Sequence, residues 1–223
     1  MALVFPLAAG GTLVGSAVVV AKRKKEVLLA TSLHLLGESA TVQIAIPPHG
    51  GQCDLPQRYP LVSTPAVNAT VGAVNPFADL AVLAFEAPDE NPLVVPPIPE
   101  KPGLIAVGSE VAVLGYPFAP LGSFLETWTP GIVTALAKRD VAPGVIVDEL
   151  VLSNVAHPGS SGSAVIGRRD ARLYGILRGA LAPPEVLRIG NIPIATDTSV
   201  TFATSSHLVQ ELVEATFQTL GVS

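Results

Sequence analysis

The chain has 223 residues, 49% of them hydrophobic and 14% charged, with a formal net charge of −5. That is enough apolar material for a large core, in one unit or in two small barrels sharing an interface. With Lys22-Arg23-Lys24-Lys25 as its only basic block the chain is a poor match for nucleic acid, and a single cysteine, Cys53, excludes an internal disulfide framework.

Residues 2–21 carry no charge, which raises the question of a leader or membrane anchor. The run has no basic start, contains Pro6 and the Gly10-Gly11 pair, and includes Gly15-Ser16-Ala17-Val18-Val19-Val20, which reads as a strand; a soluble, cytoplasmic protein is expected. Strands are predicted over 13–21 and 26–31, joined by the basic block as a solvated hairpin tip. Residues 41–46 begin with polar–apolar alternation, so one face should be buried. A turn at Pro47-Pro48-His49-Gly50-Gly51 follows, then strands near 59–63 and 70–74, and Asp79 opens an apolar strand over 80–85. Six prolines, Pro88, Pro92, Pro96, Pro97, Pro99 and Pro102, crowd the next stretch. They cannot donate to a sheet ladder, which makes this an extended crossover.

The second half repeats the texture without a sequence repeat. Strands are predicted over 110–114, around 129–136, and over 145–152, 164–167 and 173–177. Ser205 or Ser206 caps a helix running to about Leu220, with Gly221 as its stop. Leu208, Val209, Leu212, Val213 and Phe217 form its apolar face, a packing face. Short Val-, Ile-, Leu- and Thr-rich runs broken by 20 glycines and 21 prolines indicate an all-β protein.

The stretch that carries chemistry is His157-Pro158-Gly159-Ser160-Ser161-Gly162-Ser163-Ala164-Val165. A nucleophilic serine needs its hydroxyl at a tight turn, with backbone N–H groups free beside it for an oxyanion. Gly159 lets its own N–H and that of Ser161 point the same way, and Gly162 keeps bulk from an incoming substrate. A Gly/Ser stretch also serves as a flexible linker. Upstream, however, His34 ends the apolar run Leu28-Leu29-Ala30-Thr31-Ser32-Leu33, and Asp79 sits in Pro76-Phe77-Ala78-Asp79-Leu80-Ala81. Taken singly, His34 reads as a core histidine and Asp79 as a turn or cap residue.

In this order His34, Asp79 and Ser161 resemble the triad of the trypsin-like (chymotrypsin-fold) serine proteases. The likeness is nearest to the high-temperature-requirement (Deg-type) branch and covers nearly the whole chain. Val107 to Phe118 resembles that branch's strand and turn, Gly131-Ile132-Val133-Thr134 its G-I-V-S segment, and Thr201 to Ser206 its closing F-A-I-P-S. The branch's PDZ domain has no counterpart in these residues. The resemblance implies two six-stranded antiparallel β-barrels with a C-terminal helix: residues 1–90 with His34 and Asp79, a crossover over 91–103, residues 104–204 with Ser161, and a helix over 205–223.

It also implies the roles. Ser161 attacks, His34 is general base and then acid, Asp79 holds the imidazole, and Gly159 and Ser161 supply the oxyanion hole. Val155, six before the nucleophile, lies at the base of the substrate pocket, with Arg178, Gly179 and Ala180 on its wall. No metal or cofactor is implied. The expected partner is a peptide or unfolded protein, with neither nucleic acid nor membrane involved; the sequence is compatible with an assembly of several copies. Departures are Thr31-Ser32-Leu33-His34 for the family's T-A-A-H, Ser163 for a glycine, Ser160 for the aspartate of digestive relatives, and Arg178 for a small polar residue. Without that aspartate, maturation by cleavage is not expected. Arg178 either pairs with Asp79, competing with His34, or points to solvent; the first case, together with the altered residues before His34, favours a catalytically silent peptide-binding module, which the intact triad opposes. His157 is a rival base on the loop's rim, and His49 and His207 are loop and helix-cap positions. An α/β-hydrolase needs serine, acid, histidine in that order and a G-x-S-x-G turn, and neither is present.

Overall fold

The computed structural model describes residues 4–9, 12–45, 57, 66–87, 94–99, 105–121, 125–180, 188–189, 192–193 and 200–221. Six strands make the first barrel: β1 (Val4–Ala9), β2 (Thr12–Arg23), β3 (Glu26–Ser32), β4 (Thr41–Ala45), β5 (Ala66–Asn75) and β6 (Leu80–Glu86). They pair antiparallel in the order β1-β2-β3-β6-β5-β4, and β1 meets β4 through Leu7 and Ile44 to close the sheet. The second half supplies β7 (Glu110–Gly115), β8 (Thr127–Ala142), β9 (Val145–Leu152), β10 (Ala164–Gly167) and β11 (Leu173–Ala180). A small ladder of β12 (Arg188–Ile189) and β13 (Ile192–Pro193) follows, then β14 (Thr201–Ser205) and helix α1 (His207–Leu220). The second barrel runs β10-β11-β14-β9-β8-β7, and β10 against β7 closes it. Two six-stranded antiparallel barrels with a C-terminal helix are therefore both expected and observed.

Side chains on a strand alternate between faces, and here both faces are used. On β3, Val27 and Leu29 fill the first barrel, while Leu28 and Ala30 face outward into a second core. On β6, Ala81 and Leu83 point in, and Leu80 and Val82 point out. The second barrel mirrors this: Val111, Val113 and Val165 line its interior, and Ala112, Leu114, Ala164 and Ile166 meet the outward residues of the first. Val209, Val213 and Phe217 of α1 join the same layer. Strands buried on both faces read as continuous apolar runs, which is why Leu80–Phe85 shows no alternation. The shared layer fixes one barrel against the other and so sets the distance between residues carried by each.

Several local features differ from expectation. Val4–Ala9 is a barrel strand, and β5, β8 and β11 are longer than predicted. β8 presents Trp128, Ile132 and Leu136 to the exterior, which masked its period. Arg23, expected in a solvated tip, reaches α1: its Nη2 donates to both Glu214 oxygens at 3.0 and 3.1 Å, and its guanidinium lies 4.2 Å from the Phe217 ring. Ser206 occupies the helix N-cap without a capping bond, and its hydroxyl donates to the Leu173 carbonyl instead at 2.6 Å. Gly221 stops the helix as expected, in the left-handed region at φ 66°. The predicted turn at 47–51, the strand near 59–63, and Pro88, Pro92 and Pro102 lie outside the described residues. Among those described, no helix is long and apolar enough to cross a membrane.

Candidate active site

β3 and β6 pair in register, and Ser32 lies opposite Leu80 at one end of the ladder. A short 3-10 turn over Leu33–Leu35 leaves β3 at that end and carries His34, while Asp79 immediately precedes β6. The two are thus neighbours through strand pairing. Asp79 has φ 53°, a conformation aspartate tolerates better than most residues. Its carbonyl accepts the Leu33 N–H at 3.0 Å, its Oδ1 accepts the His34 N–H at 2.8 Å, and its Oδ2 lies 2.6 Å from His34 Nδ1. The loop before it is held locally by Ala78 N–H donating to Asn75 Oδ1, and from outside by the Thr204 hydroxyl of the second barrel donating to Ala78 O at 2.8 Å. With Asp79 as acceptor, the ring hydrogen sits on Nδ1, and Nε2 presents its lone pair. Nε2 lies 3.1 Å from Ser161 Oγ.

The serine loop is two tight turns in series. Ser160 N–H donates to His157 O at 2.9 Å, with Pro158 second and Gly159 third at φ 98°, the pattern of a type II turn. Ser163 N–H donates to Ser160 O at 3.0 Å, with Ser161 second and Gly162 third at φ 81°. The spacing of the two glycines follows, since each takes the left-handed third place of its own turn. A Cβ on Gly159 would sit 2.6 Å from Pro120 Cδ and 2.8 Å from Tyr116 O, and one on Gly162 would overlap the Ser16 carbonyl. Ser161 is left at the corner between the turns. Among the described residues, neither its N–H nor that of Gly159 donates to a protein acceptor. The hydroxyl of Ser161 has a second acceptor besides His34, the Arg178 carbonyl at 3.0 Å.

The remaining expected residues fall as follows. Val155 is half-buried in the loop after β9. Arg178 and Gly179 are half-buried on β11, and Ala180 is exposed at its end. Thr201 pairs with Ala180 on one side and Leu152 on the other, and its hydroxyl donates to the Asn154 carbonyl at 2.6 Å, tying the two segments together. Arg178 takes neither course anticipated for it. Its Nε lies 3.4 Å from Glu149 Oε1, its guanidinium is 5.7 Å from the Phe202 ring, and no ion pair joins it to Asp79. Glu149 is 3% exposed and also accepts from Arg139 Nε at 2.7 Å, while Arg139 Nη2 donates to Phe77 O at 3.0 Å. The aspartate loop therefore rests on an arginine–glutamate–arginine cluster. His157 stacks on Phe118 at 6.0 Å, and its N–H donates to the Ser160 hydroxyl. His207 lies 3.7 Å from Asp148, and His49 is outside the described residues. Among the described residues, no group of three or more His, Cys, Asp or Glu is arranged to hold a metal ion.

Sequence reasoning missed a set of supporting residues: Ser16, Tyr116, Glu126, Arg139, Glu149 and Thr204. Tyr116 is fully buried and its hydroxyl donates to Glu126 Oε2 at 3.2 Å. Burial pushes the Glu126 carboxyl up to about 7, with the Tyr116 bond opposing the shift. Tyr116 and Thr204 lie in segments that resemble the family, but no local signal marks these supporting contacts, among them Tyr116 to Ser16, Arg139 to Phe77 and Thr204 to Ala78, which join residues distant in the chain.

Solved structures of proteases share this two-barrel fold. AlgW, an HtrA-type protease solved with a tripeptide, is 20% identical with a TM-score of 0.65, over 96% of this chain and 58% of its own. The same protease with a decapeptide gives 19% and 0.64, over 92% and 52%. Rv3671c from M. tuberculosis H37Rv, in an inactive form, gives 19% and 0.63, over 97% and 87%. The chain thus spans little more than half of the HtrA-type chains, and likenesses at this identity speak to the fold. Among curated proteins nothing matches. The trypsin-like peptidase domain model matches residues 15–176, a span that includes His34, Asp79 and Ser161. By that match and by its two barrels, the chain belongs to the trypsin-like peptidase domain family.

Proposed function

We propose that this chain is a serine endopeptidase that cleaves peptide bonds through an acyl-enzyme on Ser161. The observation that carries the reading is the hydrogen-bonded line from Asp79 Oδ2 through His34 to Ser161 Oγ, at 2.6 and 3.1 Å, beside two N–H groups that meet no protein acceptor among the described residues. Ser161 Oγ attacks the scissile carbonyl as His34 Nε2 takes its proton, and the imidazolium is held by Asp79. The N–H groups of Gly159 and Ser161 receive the oxyanion, each such donor contributing about 3–4 kcal/mol to lowering the barrier. His34 then protonates the leaving amine, and water, activated by the same nitrogen, releases the acid. These residues need no metal or cofactor for the sequence of steps. The engagement of Arg178 by Glu149 leaves Asp79 to His34, which supports the peptidase reading over a silent peptide-binding module on that point. A peptide or unfolded protein is the substrate class, in keeping with an HtrA-type protease solved with peptides.

The test is Ser161→Ala. Peptide hydrolysis should fall about 10⁴–10⁶-fold with the thermal midpoint preserved. Full activity in the variant removes the serine mechanism.

A further inference from the structure

Ser16 lies on β2 of the first barrel, fully buried under the serine loop of the second. Every polar atom it carries is engaged. Its N–H donates to the Ser161 carbonyl at 2.9 Å, its hydroxyl donates to the Gly159 carbonyl at 3.2 Å, and its own carbonyl accepts the Thr31 hydroxyl at 2.7 Å. The hydroxyl oxygen also accepts the Tyr116 N–H at 2.9 Å, and Ser163 Oγ lies 3.4 Å from it. Gly115 makes the room, since a Cβ there would sit 2.8 Å from Ser16 Oγ and would overlap Ser163 Oγ. The two carbonyls that Ser16 holds belong to the two residues whose N–H groups meet no protein acceptor among the described residues.

Glycine offers the fold no side chain by which to hold it, and in the left-handed region it is the residue least restrained by its own sterics. Gly159 must keep its N–H free to bind an oxyanion, so its carbonyl is the handle that remains. We propose that Ser16 is a positioning residue for the oxyanion hole: its hydroxyl holds Gly159 by that carbonyl, and so keeps the Gly159 N–H aimed where negative charge develops. The same residue holds Ser161 by its carbonyl, so both donors are referenced to one rigid strand of the barrel that carries His34. The proposal rests on the serine-peptidase reading above.

Donors that act on an oxyanion stabilise the transition state and leave ground-state binding alone, which separates this role from a structural one. In Ser16→Ala, kcat should fall about 10–100-fold with KM within about twofold, less than the full loss of a donor because the N–H remains but is loosened. A peptide boronate, which forms a tetrahedral adduct on the serine, should lose affinity by a similar factor, while a product-like peptide should keep its inhibition constant. A kcat within twofold of wild type overturns the proposal, and so does a fall in kcat with boronate affinity unchanged. If Ser16→Ala does not fold, Ser16→Cys keeps a donor at that position, though a weaker and somewhat larger one. It should show a smaller fall of about 3–10-fold, and wild-type kcat there overturns the proposal equally. A wild-type protein that neither hydrolyses peptides nor binds the boronate defeats the peptidase reading and this proposal with it, whereas an active wild type with an unaffected Ser16→Ala defeats this proposal alone.

Discussion

Single residues set the chemistry through how many partners they satisfy at once. The Asp79 carboxylate holds the His34 backbone with one oxygen and its ring with the other, so the imidazole's orientation and its tautomer come from one side chain. We propose that Val155, at the base of the substrate pocket that the family resemblance implies, sets specificity. It offers neither a carboxylate nor a hydrogen-bonding group, so a buried Lys or Arg side chain would lack a partner at a cost of several kcal/mol. An aliphatic chain gains about 0.8 kcal/mol per buried CH₂. Cleavage after Ala, Val or Leu is expected, and profiling of cut sites in a denatured protein mixture checks it; a majority of cuts after Lys or Arg contradicts it. Glu126 bears on stability. Its carboxyl titrates near 7 in the fold against an ordinary 4.5, so between those values the native state keeps a proton that the unfolded chain has released. Stability should therefore decline as pH rises from about 4.5 to 7. Glu126→Gln should remove that decline, a relative gain of about 3 kcal/mol at neutral pH that vanishes below pH 4.5. Denaturant midpoints across that range test it, and parallel curves contradict it.

Turns and strands show why some of this was legible and some was not. The serine loop is readable because its requirement is local, two consecutive turns that each need a residue at positive φ in the third place; Gly162, however, makes room for the Ser16 carbonyl of the first barrel and not for an incoming substrate. Gly162→Ala should then cost about 2–4 kcal/mol and most of the activity, from backbone strain and the overlap with the Ser16 carbonyl. A denaturation midpoint like that of the wild type would contradict this. The doubly buried strands were likewise legible as unbroken apolar runs. Val4–Ala9 was not, because an uncharged N-terminal run has the same composition in a leader as in a barrel strand. β14 was legible as a family motif but not as a strand, since five residues with three polar side chains give little period. Arg178 was misjudged because its partner, Glu149, lies on β9, and nothing near Arg178 in sequence signals it.

The whole molecule is needed to assemble the site. His34 and Asp79 belong to the first barrel and Ser161 to the second, and the apolar layer between barrels sets the 3.1 Å contact that joins them. The three residues and their order were legible because each sits in its own recognisable segment. The inter-barrel contacts that hold them, Ser16 to Gly159 and Thr204 to Ala78, were not, because they link residues 143 and 126 positions apart. Activation of Ser161 by His34 across that interface is the claim on which the functional reading stands. The most direct measurement of it is the rate of covalent modification by a fluorophosphonate, read by intact mass and mapped to the modified residue. The wild-type chain should take up one adduct on Ser161, Ser161→Ala none, and His34→Ala should react at least about 10³-fold more slowly. Reaction of His34→Ala at the wild-type rate, or no reaction of the wild type, would contradict it.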